Sequence, residues 1–176
     1  MSRAAEILTE HLTGRVALMG IGNRWRGDDA AGPAVIDLVA GRVGAVCVDA
    51  GEAPERHLGE VVAQRPERIV LIDAVHFGGA PGEVGVFGPE EVACRRESTH
   101  DASMGTLLRY LRGTSGAKVI LVGIQPESTH FGEPMSSAVE TGVAALAKVL
   151  LARLAPLSER CCHPASASLV GAEEGA

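Results

Sequence analysis

Aromatic residues are scarce in this 176-residue chain, at 3% of the sequence against 46% for hydrophobic residues as a whole. A core with few aromatic rings has to be built from Val, Leu, Ile and Ala, a composition common in parallel α/β sheets. The scarcity argues against a strand-rich sandwich. The length suits one domain that buries a core without disulfides or structural metals.

The chain also lacks an excess of basic residues. Its formal net charge of -6 gives no attraction to phosphate backbones or anionic lipid, so we expect neither nucleic-acid nor membrane partners. No stretch approaches the roughly 20 apolar residues that span a bilayer. The cysteines have no Cys-x-x-Cys spacing, which indicates a reducing compartment, and we expect a cytoplasmic protein. They are Cys47, Cys94, Cys161 and Cys162.

Short apolar runs alternate along the chain with segments of helical periodicity. Four runs rich in branched residues predict buried strands, and a weaker alternating run over residues 83–88 predicts an edge strand. The four buried runs span residues 15–21, 45–50, 68–74 and 118–124. Apolar residues spaced three and four apart predict helices around residues 34–39, 104–111 and 136–154.

This alternation predicts an α/β fold, a doubly wound and mostly parallel five-stranded sheet with helices on both faces. Parallel strands need crossover connections, and these are almost always right-handed. The flavodoxin-like order 2-1-3-4-5 is the natural expectation. We expect a single domain over residues 1–155 and, because residues 156–176 are small and show no sustained period, a disordered tail.

Two acidic segments follow neighbouring strands of the predicted sheet. Asp28 and Asp29 come after the first strand, and Asp73 directly follows four apolar residues of the third. Ligands of open α/β sheets bind beyond the carboxyl ends of the strands, where the strand order reverses. Asp29 and Asp73 should therefore converge at one edge, where two carboxylates repel each other unless a cation lies between them.

Each of these residues also has a purely structural interpretation. Asp28 or Asp29 would cap the helix that follows, and Asp73 would be a cap or the partner of a base.

His100 lies in a polar stretch before the helix predicted around residues 104–111 and can reach the same edge, but a lone loop histidine is usually inert. The remaining histidines receive that inert interpretation: His11, His57, His76, His130 and His163.

Two carboxylates and one imidazole, with coordination positions left open, suit a divalent transition metal that meets an incoming ligand. These ligands do not distinguish among nickel, zinc, iron and manganese.

Other catalytic and binding motifs are incomplete or absent. Gly20 and Gly22 begin a dinucleotide fingerprint, but Trp25 occupies the place of its third glycine. No Walker loop, nucleophile elbow or His-Glu-x-x-His motif is present, and the cluster Cys161–His163 has no partner ligands nearby.

Five motifs follow one another along the chain: Gly22-Asn23 through Asp28-Asp29 to Gly32, Asp49-Ala50-Gly51, Asp73-Ala74, Pro81-Gly82 and Ser98-Thr99-His100. In this order they resemble the hydrogenase maturation proteases, and the resemblance covers about residues 15–153. Residues 49–55 and 123–127 look like the branch that processes formate-hydrogenlyase-type large subunits. The departures are residues 24–26, where relatives are often more apolar, and the extra tail.

The resemblance implies that Asp29, Asp73 and His100 are the catalytic and metal-recognising residues of an endopeptidase. Its substrate would be a nickel-loaded [NiFe]-hydrogenase large-subunit precursor, cut just after the His or Arg of a C-terminal Cys-x-x-Cys-x-x-His/Arg motif. The nickel would arrive with the precursor and act as a checkpoint and a possible Lewis acid, and other divalent metals could occupy the site in vitro.

Two other functions stay open at this point. One is a nickel-sensing binding module or chaperone that recognises the precursor without cutting it. The other is a metal-dependent hydrolase of small amides, because a fold does not fix a function. The residues do not assign how water is activated.

Overall fold

The computed structural model describes residues 3–94 and 99–155, with side chains over residues 6–92 and 103–155. Within these residues five strands form one sheet surrounded by six α-helices. The strands are β1 (Val16–Ile21), β2 (Val46–Gly51), β3 (Arg68–Ala74), β4 (Val84–Phe87) and β5 (Lys118–Ile124). The helices are α1 (Arg3–His11), α2 (Ala31–Val39), α3 (Leu58–Ala63), α4 (Pro89–Cys94), α5 (Thr99–Ser115) and α6 (Ser137–Arg153).

The sheet has the strand order β2-β1-β3-β5-β4, and all neighbours are parallel except β4 and β5. The expected placement of β1 between β2 and β3 is confirmed. The expected order of the last two strands was wrong, because β4 turns back and pairs antiparallel with β5 at the edge. A strand of four half-buried residues suits an edge, as the alternating run over residues 83–88 predicted.

Side chains alternate between the two faces of the sheet and build a separate apolar layer on each. On one face Leu18 and Val70 pack with residues of α1, α2 and α6. On the other face Met19 and Leu71 pack with residues of α3, α4 and α5. Parallel strands that are buried on both faces have unbroken apolar runs in their sequence, and this pattern allowed these strands to be predicted.

The three predicted helices are present. The predicted bounds of α6 agree within one residue, whereas α2 begins three residues earlier than predicted and α5 is longer at both ends. Ser136 is the N-cap of α6, and its hydroxyl accepts a hydrogen bond from the backbone N–H of Val139. Helices α1, α3 and α4 were not predicted from the sequence, and each is nine residues long or shorter. Among the described residues no helix combines the length and the apolar character needed to cross a membrane. The predicted tail over residues 156–176 lies outside the described residues.

Candidate active site

A pocket of about 950 Å³ opens beyond the carboxyl ends of β1 and β3. The connections from these strands leave in opposite directions here, so this is the point where the strand order reverses. Its apolar lining includes Ile21, Val75, Phe87, Met104, Leu107 and Leu121. Its polar lining includes Arg26, Asp29, Glu52, Glu55, Asp73 and His76.

Glycines bring the first acidic segment onto the ends of β1 and β3. A Cβ atom on Gly32 would clash with the backbone oxygens of Ile21 and Ile72, so the first turn of α2 packs directly on both strands. Gly22 has a φ of 135° and touches the backbone oxygen of Asp29 so closely that a side chain there would clash. The glycines of the first motif therefore place Asp29 beside the end of β3.

Asp29 and Asp73 line the same pocket, as the sequence predicts. The backbone N–H of Asn23 donates to Asp29 Oδ2 at 2.9 Å, and the N–H of Ala74 donates to Asp73 Oδ1 at 2.8 Å. A backbone N–H thus holds one oxygen of each carboxylate in place. A carboxylate has about four lone-pair sites, so these bonds use only part of its capacity to accept hydrogen bonds or bind a cation.

The alternative interpretation, in which Asp28 or Asp29 caps the following helix, is wrong. No side chain caps either the 3-10 turn over Gly27–Ala30 or the start of α2. The carboxylate of Asp28 is instead fully buried and faces the loop after β5. It accepts hydrogen bonds from the N–H groups of Glu127 (2.7 Å), Ser128 (3.0 Å) and Ser136 (2.7 Å) and from the Ser136 hydroxyl (3.0 Å).

Burial alone raises the pKa of Asp28, since it penalises the charged form. The hydrogen bonds from Ser136, Ser128 and Glu127 favour the charged form, and together they hold the pKa below its ordinary value. Asp28 is therefore an ionised anchor that ties the loop over residues 126–136 to the turn before Asp29. The sequence offered no signal for this role, because the partners lie about a hundred residues away along the chain.

The motif Asp49-Ala50-Gly51 also has a structural role, through its contacts with Arg24 and Gly22. Arg24 bridges Asp37 of α2 and Asp49 of β2, with N–O distances of 2.6 and 2.7 Å. The hydrogen bonds to Asp37 and Asp49 raise the pKa of Arg24, and the bonds from Arg24 lower the pKa of Asp37. The N–H of Gly22 donates to the backbone oxygen of Gly51 at 3.0 Å. The Asp49-Ala50-Gly51 segment therefore fixes the loop that leads to Asp29.

The structure places His100 in the first turn of α5, and its side chain lies outside the described side chains. Residues of the next two turns, including Ser103, Met104 and Leu107, line the pocket. Among the side chains that the structure does describe, no group of three or more His, Cys, Asp or Glu is arranged to hold a metal ion.

His76 was interpreted from the sequence as inert, yet it lines the pocket. Its Nδ1 lies 3.2 Å from Nε2 of Gln125. Gln125 Oε1 accepts hydrogen bonds from three backbone N–H groups, those of residues 77, 78 and 79, so Nε2 is the donor toward His76. This assigns the proton of neutral His76 to Nε2, directed away from Gln125. The sequence signal that could have placed His76 in the pocket is its position three residues after Asp73.

Comparisons with known proteins agree with the fold. The family model described as HycI, hydrogenase maturation protease, matches residues 41–153. This span contains Asp73 and His100, and Asp29 precedes it. The hydrogenase 3 maturation protease of Escherichia coli K12 is 33% identical over 129 residues, which are 72% of this chain and 82% of the relative.

Two solved structures give the same result. The crystal structure of the [NiFe] hydrogenase maturation protease HycI from Thermococcus kodakarensis KOD1 has a TM-score of 0.78 and 31% identity, covering 84% of this chain and 98% of the other. The solution structure of the endopeptidase HycI from Escherichia coli has a TM-score of 0.70 and 29% identity, covering 79% and 90%. The predicted family is thus confirmed, and this chain belongs to the hydrogenase maturation protease family as an endopeptidase.

Proposed function

We propose that this endopeptidase removes the C-terminal extension of a nickel-loaded [NiFe]-hydrogenase large-subunit precursor, and that Asp29, Asp73 and His100 complete the coordination of the nickel carried by that substrate. The observation that carries the proposal is the meeting of Asp29 and Asp73 in one pocket at the switch point of the sheet. The free thiol of Cys47 suits the cytoplasm, where we place the reaction.

The pocket favours a cation held between its carboxylates. Asp29 and Asp73 line the same pocket, and two carboxylates at one edge repel each other unless a cation lies between them. A divalent ion brought by the substrate would satisfy both carboxylates at once.

His100 supplies the third ligand in this proposal. Position 100 lies three, four and seven residues before Ser103, Met104 and Leu107, which are helical neighbours on one stripe of α5 and line the pocket. Two carboxylates and one imidazole form an open donor set without thiolates, which binds borderline metals less tightly than closed structural sites do. The free enzyme should therefore purify with little nickel, and the metal should arrive with the precursor.

The scissile peptide would lie against the apolar side of the pocket. Nickel on the substrate would polarise the scissile carbonyl, while a pocket carboxylate that is oriented but still able to accept a proton would act as general base toward water. Asp29 and Asp73 are the two candidates for this base, and a backbone N–H holds one oxygen of each.

The decisive experiment compares nickel-loaded and nickel-free precursor incubated with the purified enzyme, followed by intact mass. We expect cleavage at one bond in the loaded precursor and an uncut nickel-free precursor at any enzyme concentration. Stoichiometric nickel in the purified enzyme, together with cleavage of metal-free precursor, would show a conventional metalloprotease that carries its own ion. Binding without cleavage would favour a nickel-sensing chaperone, and turnover of small amides alone would favour an amidohydrolase.

A further inference from the structure

Exposed aromatic side chains stand out in a chain with one Trp, one Tyr and three Phe. Phe77 and Phe87 pack against each other, with ring centroids 5.4 Å apart. Trp25 is 72% exposed and Phe131 is 75% exposed. The core is aliphatic, so the chain places its largest apolar side chain in solvent, where it contributes little to folding.

Trp25 and Phe131 lie on two loops that hydrogen bonds join into one unit. The N–H of Gly132, the neighbour of Phe131, donates to the backbone oxygen of Trp25 at 2.7 Å. The N–H of Gly27 donates to the backbone oxygen of Glu133 at 3.2 Å, and the buried Asp28 carboxylate anchors the second loop. We call Trp25 and Phe131 the aromatic pair. Because its backbone is already held in place, binding a partner there costs little ordering entropy.

The aromatic pair borders the active-site pocket without lining it. Arg26, next to Trp25, and Thr129, two residues before Phe131, both line the pocket and are joined by the bond from Arg26 Nε to the Thr129 oxygen. Trp25 and Phe131 themselves lie outside the lining. A chain segment that contacts Arg26 and Thr129 in the pocket would bring the adjoining part of the precursor close to the aromatic pair.

We propose that the aromatic pair docks the folded body of the precursor beside the segment to be cut, an inference that rests on the proposed function. Protein interfaces are enriched in Trp, Phe and Arg, and a few such residues carry most of the binding free energy. The pocket has its own apolar lining for the extended segment. The aromatic pair therefore recognises a folded apolar patch on the precursor.

A kinetic test uses Trp25→Ala, Phe131→Ala and the double variant on nickel-loaded precursor, with Leu38→Ala as the control. Leu38 is also apolar and exposed, at 40%, but lies on α2 and does not line the pocket. We expect the double variant to raise KM about tenfold or more and to leave kcat within about twofold, since the aromatic pair makes no contact with the reacting bond. An unchanged KM in a folded double variant, or an equal rise in Leu38→Ala, overturns the docking proposal.

A binding test uses the fact that Trp25 is the single tryptophan of the chain. Enzyme labelled with 5-fluorotryptophan should give one ¹⁹F resonance, which nickel-loaded precursor should shift and a synthetic extension peptide should leave unchanged. An equal shift with the peptide would assign the aromatic pair to the extension, and a shift with enzyme concentration alone would assign it to a second copy of the chain. Either result overturns docking of the precursor body. If wild-type enzyme binds the precursor through this resonance but never cuts it, the proposed function fails and the docking surface stands.

Discussion

The carboxylate of Asp28 is bound by Ser136 through both of its oxygens. Oδ1 accepts the backbone N–H of Ser136 at 2.7 Å, and Oδ2 accepts its hydroxyl at 3.0 Å. Ser136 is also the N-cap of α6. The contact between Asp28 and Ser136 thus links the turn before Asp29, the loop after β5 and the start of the last helix. Asp28 does not line the pocket, yet it helps to fix the pocket's geometry.

Replacing Asp28 by Asn should destabilise the protein by about 3 kcal/mol, because a buried acceptor would become an amide whose N–H₂ faces N–H donors. The exposed Asp37, also a partner in hydrogen bonds, provides the matched control. Asp37→Asn should cost at most about 1 kcal/mol, since exposed ion pairs contribute little. Urea unfolding followed by circular dichroism measures both. Equal losses in the two variants would contradict the anchoring role.

The stability that Asp28 contributes should depend on pH. Its pKa in the folded state lies below its ordinary value, so as the pH falls the unfolded chain binds the proton first. The contribution is fully present above the unfolded pKa of about 3.9, and it is lost as the pH falls through the lower folded value. The urea midpoint of the wild type should drop more steeply than that of Asp28→Asn between pH 5 and pH 3 (roughly the window set by these pKa values). Parallel curves would contradict this prediction.

Asp29→Asn and Asp73→Asn should each lower precursor cleavage by more than about 100-fold, as expected for loss of a general base or metal ligand. At Asp73, substitution by Asn is a better test than substitution by Ala. The carboxylate is buried, so truncation to Ala would also leave a cavity. Circular dichroism checks the fold, and Asp37→Asn should cut at the wild-type rate. Near-normal cleavage by both variants would remove the two carboxylates from the mechanism.

The two histidines near the pocket can be separated by substitution. His100→Ala should abolish cleavage if His100 is the third ligand. His76→Ala loses the contact with Gln125 and should lower kcat/KM by no more than about tenfold, because one neutral hydrogen bond contributes about 0.5–1.5 kcal/mol. Initial rates on loaded precursor give the comparison. The reverse order of effects would transfer the third-ligand assignment to His76, which already lines the pocket.

Gly32→Ala should destabilise the protein by about 1–3 kcal/mol, because the new methyl group would press α2 away from the ends of β1 and β3. Gly113 in α5 is the matched control, since nothing lies within 4 Å of a Cβ atom there. Gly113→Ala should instead stabilise by about 0.5–1 kcal/mol, the usual gain of Ala over Gly inside a helix. Thermal unfolding measures both, and a neutral Gly32→Ala would show that α2 tolerates the displacement.

Much of the fold could be predicted because its signals are local. Strands β1, β3 and β5 are buried on both faces and appear as unbroken apolar runs, and the period of α6 runs over almost five turns. The alternating pattern of β4 predicted an edge strand, but its antiparallel pairing with β5 could not be predicted, because pairing partners depend on the packing of the whole sheet. Short helices such as α3 carry too few periodic positions to be distinguished from loops.

The sequence by itself determined that Asp29 and Asp73 follow neighbouring strands, because the alternation of elements fixes a parallel sheet with one switch point. Only the tertiary structure decided what the adjacent Asp28 does. Two consecutive aspartates are chemically identical in the sequence, but successive side chains point in different directions, so one carboxylate enters the pocket and the other is buried against residues 127–136. Which of the two meets a substrate depends on contacts about a hundred residues apart along the chain, and no local pattern records them.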